Sequence, residues 1–188
     1  MRNTIVYLIG HYGVGKLTIA RAICAVTTAV LFDNHRVNNV IFPLIQADGK
    51  SKLPPRVWEL TWVIREQAML AIEEIAPSDT SYVLTNCLTE HNPMDRKAFD
   101  QVATLAQRRG NTFVPVLLRA SDAAHAARIG SADRVANFKH TDLASAQHMR
   151  QTTELLRFEH PNRLDIDTTD LAPADAARLI IEHAERLA

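Results

Sequence analysis

Ile5-Val6-Tyr7-Leu8-Ile9-Gly10-His11-Tyr12-Gly13-Val14-Gly15-Lys16-Leu17-Thr18 is the stretch on which the reading of this chain turns. Its first five residues are apolar without a polar alternation, which predicts a short strand buried on both faces. From Lys16 to Thr27 the apolar residues Ile19, Ala22, Ile23 and Val26 recur at helical spacing. The segment between is a loop with three glycines. Glycine lets the backbone fold tightly and turn successive N–H groups inward as an anion nest. The start of the helix adds its partial positive charge, and Lys16 adds a full one. The G-x-x-x-x-G-K spacing in a strand–loop–helix context therefore predicts a socket for the β- and γ-phosphates of a nucleotide, built from Gly10 to Thr18. An ordinary glycine-rich turn before a helix is the rival reading.

One residue departs from the pattern. The position after the lysine is usually Ser or Thr, whose hydroxyl binds Mg²⁺; here it is Leu17. Thr18, one residue on, is placed to contact the α-phosphate, and with Asp33 it is the candidate for the metal.

Beyond the loop, strands and helices alternate. Ala29–Phe32 predicts a second strand, with Asp33 just past its end. Val37 to Ile45 suggests a short helix, and Arg56 to Ile75 a long one that starts at Pro54-Pro55. Ser81 to Leu84 predicts a third strand, extending towards Asn86. Pro93 to Arg109 is helical and stops at Gly110. Thr112 to Leu118 predicts a fourth strand, although Pro115 is awkward inside a sheet. Ser121 caps an alanine-rich helix that runs to Arg128 or Ile129. Gly130 to Thr141 is polar and basic and reads as a flap. Leu143 to Phe158 reads as a helix, Leu164 to Ile166 as a fifth strand, and Pro173 to Leu187 as a last amphipathic helix. This alternation implies an α/β fold with a mostly parallel sheet between two helix layers. No repeat, linker or low-complexity tract divides it, so residues 1–188 are expected to form one domain.

The 188 residues are 47% hydrophobic, enough for a substantial core, and 21 Lys+Arg balance 21 Asp+Glu. That balance argues against a dedicated nucleic-acid binder. The two cysteines, Cys24 and Cys87, are far apart and predict reduced, buried thiols rather than a disulfide framework. The histidines lack zinc-ligand spacing. No apolar run approaches the ~20 residues that span a bilayer, so a cytoplasmic protein with no membrane partner is expected.

The loop, Asp33-Asn34-His35, the basic flap and Ile166-Asp167-Thr168-Thr169-Asp170-Leu171 together resemble the small P-loop kinases, the group of shikimate, gluconate and adenylate kinases. The chain looks most similar to a bacterial branch labelled AAA-family ATPase or shikimate-kinase-like, which shares the G-K-L-T loop. The resemblance covers nearly the whole chain. It implies a three-layer P-loop fold with strand order 2-3-1-4-5, a lid at about 130–143, acceptor-side helices at about 37–75, and ATP with Mg²⁺. It also places Arg128 against the adenine, Arg134 in the lid, and Thr168, Thr169 and the turn to Pro173 along the adenine pocket. Asp33 matches the acidic position near the acceptor and the metal-bound water. The second acid of shikimate kinases is replaced by His35, and their arginine and glycine-rich acceptor motifs are absent, so the acceptor is expected to differ.

On this reading Lys16, Asp33 and Arg134 are the candidate catalytic residues, and Asp33, His35 and Asn86 face the acceptor. The rival for Asp33 is a carboxylate that caps the next helix, and for His35 a histidine that braces its loop. Lys139, Arg150 and Arg157 are weaker candidates for nucleotide contact against a solvated basic surface. Trp58 and Trp62, four apart on a helix, read as core or pocket wall. The third strand ends in Thr85-Asn86, where many P-loop enzymes carry an acid. The leading expectation is an ATP-dependent kinase of a small molecule, a monomer or homodimer. A nucleotide sensor or slow ATPase is the alternative, favoured by Leu17 and by the absent acid. A nucleic-acid end kinase has only the basic flap in its support.

Overall fold

A strand of six wholly buried residues, β1 (Thr4–Ile9), forms the middle of the sheet in a computed structural model that describes residues 1–49, 51–129 and 143–187. The chain continues through α1 (Lys16–Val26), β2 (Val30–Asp33), α2 (Asn34–Ile41), α3 (Pro55–Glu74), β3 (Tyr82–Asn86), α4 (Pro93–Arg109), β4 (Thr112–Arg119) and α5 (Asp122–Ile129). It ends with α6 (Leu143–Thr152), β5 (Leu164–Asp167) and α7 (Pro173–Glu185). The five strands are parallel in the order β2-β3-β1-β4-β5, the order the resemblance implies.

β1 alternates its side chains between two cores, as the strand period dictates. Ile5, Tyr7 and Ile9 join Met69 and Ile72 of α3 and Phe99, Val102 and Leu105 of α4 on one face. Val6 and Leu8 join Ile19 and Ile23 of α1 and Ala177 and Ile180 of α7 on the other. Both faces are covered, which is why the strand reads as a continuous apolar run. The register sets Asp33 opposite Thr85 and Asn86 opposite Ile9, so the carboxyl ends of three strands meet at one edge. Ligands of open α/β sheets bind at that edge.

Pro115 sits inside β4 without harm. Thr112 N–H donates to Asn3 of the chain segment leading into β1; by strand alternation the nitrogen of Pro115 points the other way. The ladder with β5 starts only at Val116, so no partner strand needs the missing donor. Gly110 caps α4 in the left-handed conformation, and the Ser121 hydroxyl accepts from Ala124 N–H at the start of α5.

One element differs from expectation. The helix expected over 143–158 stops at Thr152. Leu155 instead forms an antiparallel bridge with Thr89, Leu156 N–H donates to Leu88 O at 3.0 Å, and Leu156 and Phe158 enter the core. The two neighbouring β-branched residues, Thr152 and Thr153, suit this change to extended backbone. The lid expected at about 130–143 lies outside the described residues apart from the start of α6. Cys24 and Cys87 are free thiols, both half-buried rather than fully buried. Among the described residues no helix is long and apolar enough to cross a membrane.

Candidate functional site

The glycine loop packs so closely that its glycines are required. A Cβ on Gly10 would stand 2.6 Å from the Leu118 carbonyl oxygen, and one on Gly13 would stand 2.9 Å from His125 Cδ2. Gly13 and Gly15 also have φ of 80° and 94°, in the region that favours glycine. Gly15 is the N-cap of α1 and has no side chain to satisfy the first turn, so the helix start presents its amides to the loop. Lys16 Nζ donates to Gly10 O at 2.7 Å and His11 O at 2.8 Å. The ammonium therefore closes the loop on itself. His11 is half-buried; burial, reinforced by Lys16, Arg150 and His125, lowers its pKa to about 4.

Leu17 is buried and Thr18 exposed. Both residues line the cleft, and of the two only Thr18 carries a hydroxyl. That cleft, about 1490 Å³, runs from Tyr12–Thr18 past Asp33, His35 and Asn86 to Trp58 and Trp62. Pockets for a single small ligand are about 300–1,000 Å³, so there is room for a nucleotide and a second molecule.

Asp33 ends β2 and is 7% exposed. It occupies the N-cap position of α2, yet its side chain makes no cap hydrogen bond; the helix-capping reading of this carboxylate is not realised. Its Oδ1 instead accepts a short hydrogen bond from the Thr85 hydroxyl, whose oxygen accepts from Asn34 N–H at 3.4 Å. Thr85 thereby fixes the carboxylate at the sheet edge. His35, in the first turn of α2, stacks edge-on to Phe42, and Phe42 edge-on to Trp58. Asn86 lines the cleft and is tied to its neighbours: Nδ2 donates to the hydroxyl of Tyr7 in β1 at 3.3 Å and Oδ1 accepts from Cys87 N–H at 2.9 Å.

The sequence points to no cation among the helices at about 37–75, and the structure puts Arg65 there. Arg65 projects from α3 into the cleft and is 4% exposed. Nε donates to Gln101 Oε1 at 2.9 Å, Nη1 to Asn34 Oδ1 at 3.3 Å and Nη2 to Ala98 O at 3.5 Å. Among the described residues no carboxylate lies within ion-pair distance of it. Burial raises the Tyr7 phenol pKa, and the Arg65 charge offsets part of that rise. The available signal was a lone arginine on the inward face of α3, in step with Val57, Thr61, Met69 and Ile72. Asp95 was also missed. It lines the cleft and accepts from Thr89 N–H at 2.9 Å and the Thr89 hydroxyl at 2.7 Å, while burial raises its pKa.

On the far side of the loop, Thr168 ties three segments together. Its hydroxyl oxygen lies 2.9 Å from both the Val14 and the Arg119 carbonyl oxygens and accepts from Arg128 Nη1 at 3.3 Å. Arg128 Nη2 donates to Thr168 O at 2.9 Å and Thr169 O at 3.0 Å. The guanidinium thus braces the turn after β5 and still borders the cleft beside Gly13 and Pro173. Arg150 binds Asp122 and the Ala120 carbonyl; Arg157 pairs with Glu154 at the surface. Neither lines the cleft. Arg134 and Lys139 lie outside the described residues.

A glycine loop ending in Lys16, set at the carboxyl edge of a 2-3-1-4-5 sheet, decides the fold. This is the small P-loop kinase fold. Solved structures with this architecture include a gluconokinase from Sinorhizobium meliloti 1021, with TM-score 0.61, 13% identity, and 99% of this chain and 94% of that one covered. A shikimate kinase from Aquifex aeolicus VF5 matches with TM-score 0.51 and 11% identity over 97% of each chain. The tunicamycin resistance protein of Deinococcus radiodurans matches with TM-score 0.54 and 15% identity over 95% of this chain and 94% of that one. No protein-family model and no curated protein sequence matches the chain.

The residues are compatible with a nucleoside triphosphate: a tightly packed glycine loop with two positive φ angles, a helix start with no side-chain cap, and an ammonium that closes the loop. Asp33 and Thr18 are the candidates to hold Mg²⁺, because Leu17 supplies no oxygen. Among the described residues no three His, Cys, Asp or Glu side chains gather as a metal cage. Mg²⁺ commonly takes one or two protein oxygens and fills the rest of its shell from phosphates and water, so two suffice.

Proposed function

We propose that this chain is an ATP-dependent phosphotransferase acting on a small molecule. The observation that carries the proposal is that one cleft joins the glycine loop to a buried carboxylate and a buried guanidinium at its other end. Lys16 and the loop amides hold the β- and γ-phosphates and neutralise charge that spreads over the moving phosphoryl group. Asp33, oriented by Thr85, accepts the proton of the acceptor hydroxyl. The acceptor oxygen bonds to the γ-phosphorus as the bond to the bridging oxygen breaks, and ADP leaves. Asp33 and Thr18 would hold Mg²⁺, which would supply further charge neutralisation. Arg128, braced by Thr168 and Thr169, borders the base, and His35 borders the acceptor beside Phe42 and Trp58.

Arg65 narrows the acceptor class. A guanidinium buried without a carboxylate is costly, and an anion from outside offsets that cost. The acceptor therefore carries a carboxylate or another anionic group as well as the hydroxyl.

The test is acceptor-dependent ATP consumption across hydroxylated carboxylic acids, sugar acids, sugars and nucleosides. A kinase consumes ATP only with its acceptor. Asp33→Ala is expected to keep ATP binding and lose transfer by about 10²–10⁴-fold, the usual range for a general base; transfer at the parental rate would remove Asp33 from the role. A slow ATPase or sensor is the second reading, favoured by Leu17 and by the Thr85-Asn86 strand end. ATP turnover that no acceptor alters would establish it.

A further inference from the structure

Opposite the cleft, α3 presents a solvent-facing stripe of Arg56, Leu60, Val63, Gln67, Leu70 and Glu74, spaced three or four residues apart along one helical face. Leu60, Val63 and Leu70 are 39%, 54% and 41% exposed. Three large aliphatic side chains in line on one helix make an apolar seam with no cover among the described residues.

The stripe is its own complement when reversed. Residues 56 and 74, 60 and 70, and 63 and 67 are equally spaced about position 65. A second α3 laid antiparallel, with a two-fold axis at that level, therefore sets Arg56 against the partner's Glu74 at both ends. The same register sets Leu60 against the partner's Leu70, and Val63 against the partner's Gln67 across the centre. Opposite charges close each end of an aliphatic strip, the self-complementary arrangement that an isologous interface requires. Glu74 makes no ion pair among the described residues. Arg56 reaches only Glu59 on its own helix, an exposed pair at 2.6 Å that a further carboxylate can join.

We propose that the chain associates with a second copy of itself through this face, α3 against α3, antiparallel and centred at position 65. At 1.5 Å per residue the seam is about 27 Å long. One helix pair falls at the small end of specific interfaces, so the dimer forms with rising protein concentration. The same helix carries Arg65 on its inner face, which makes the dimer a brace for the acceptor side of the cleft. The inference does not depend on which reaction the cleft performs.

Sedimentation velocity from micromolar to millimolar concentration tests it. The parent protein is expected to pass from monomer to dimer. Val63→Glu, which sets two carboxylates beside the axis, is expected to stay monomeric with an unchanged circular-dichroism spectrum. Arg56→Glu and Glu74→Arg are each expected to weaken association at least tenfold, and the double variant to recover it, since the charges then face each other in reversed order. A parent that is monomeric throughout overturns the proposal. So does a dimer that survives Val63→Glu, a double variant as weak as the single ones, or a monomer that uses the stripe to bind phosphatidylglycerol vesicles.

Discussion

Arg65 shows what a single residue can add and hide. On the helical period of α3 its position belongs to the apolar face, with Thr61 and Met69 one turn away on either side. A lone charge in that series carries no motif, and only the folded chain reveals that it reaches the cleft. Removing it is expected to act on the acceptor alone. Arg65→Met should raise the acceptor KM about 10- to 100-fold, the worth of hydrogen bonds to a charged group, and leave ATP affinity unchanged in calorimetry. An unaltered KM would take the anionic acceptor away. His11 makes a prediction about stability. The unfolded chain binds its proton below about 6.5, the folded chain only below about 4. Between those values the unfolded state holds the extra proton, so stability falls as pH falls through this window and levels off beneath it. His11→Asn should flatten the decline in melting temperature from pH 6.5 to 4; an identical slope would show that the loop histidine plays no part.

The strand–loop–helix element was the most legible part of the chain because local rules coincide there: a buried strand, glycines at spaced positions, and a lysine at the helix start. Its glycines are not equivalent in space. Gly10 is closed in by the backbone of Leu118, which cannot move aside, whereas a Cβ on Gly15 meets only Ile19 Cδ1 at 3.7 Å. Gly15→Ala is therefore charged only for its positive φ, about 1–2 kcal/mol. Gly10→Ala, by forcing β1 and β4 apart, is expected to lower the melting temperature further than Gly15→Ala in a thermal scan. The reverse order would mean that the β1–β4 spacing differs from the one described. Other elements were less legible where distant contacts overrule local pattern. The stretch after Thr152 looks helical by its apolar residues, but its backbone pairs with Thr89 and Leu88, more than sixty positions earlier. Pro115 looked misplaced until the late start of β5 left its side of β4 without a partner strand.

At the scale of the whole molecule the sheet order was implied by resemblance, and the strand register then brings Asp33, Thr85 and Asn86 to the edge where the glycine loop begins. Thr168 joins that edge to the loop across 154 positions of sequence through the Val14 carbonyl. The cleft is a product of these long-range links: resemblance pointed to residues of about 37–75 for its second end, but its length and the place of Arg65 in it were not readable from the chain. The proposed function rests on the loop serving as a polyphosphate socket. Isothermal titration calorimetry of a non-hydrolysable ATP analogue with Mg²⁺ tests this most directly, using the parent protein and Lys16→Ala matched by circular dichroism. One molecule bound per chain, with affinity about 10- to 100-fold weaker in Lys16→Ala, is the expected result. No binding by the parent, or equal affinity in the two proteins, would contradict it.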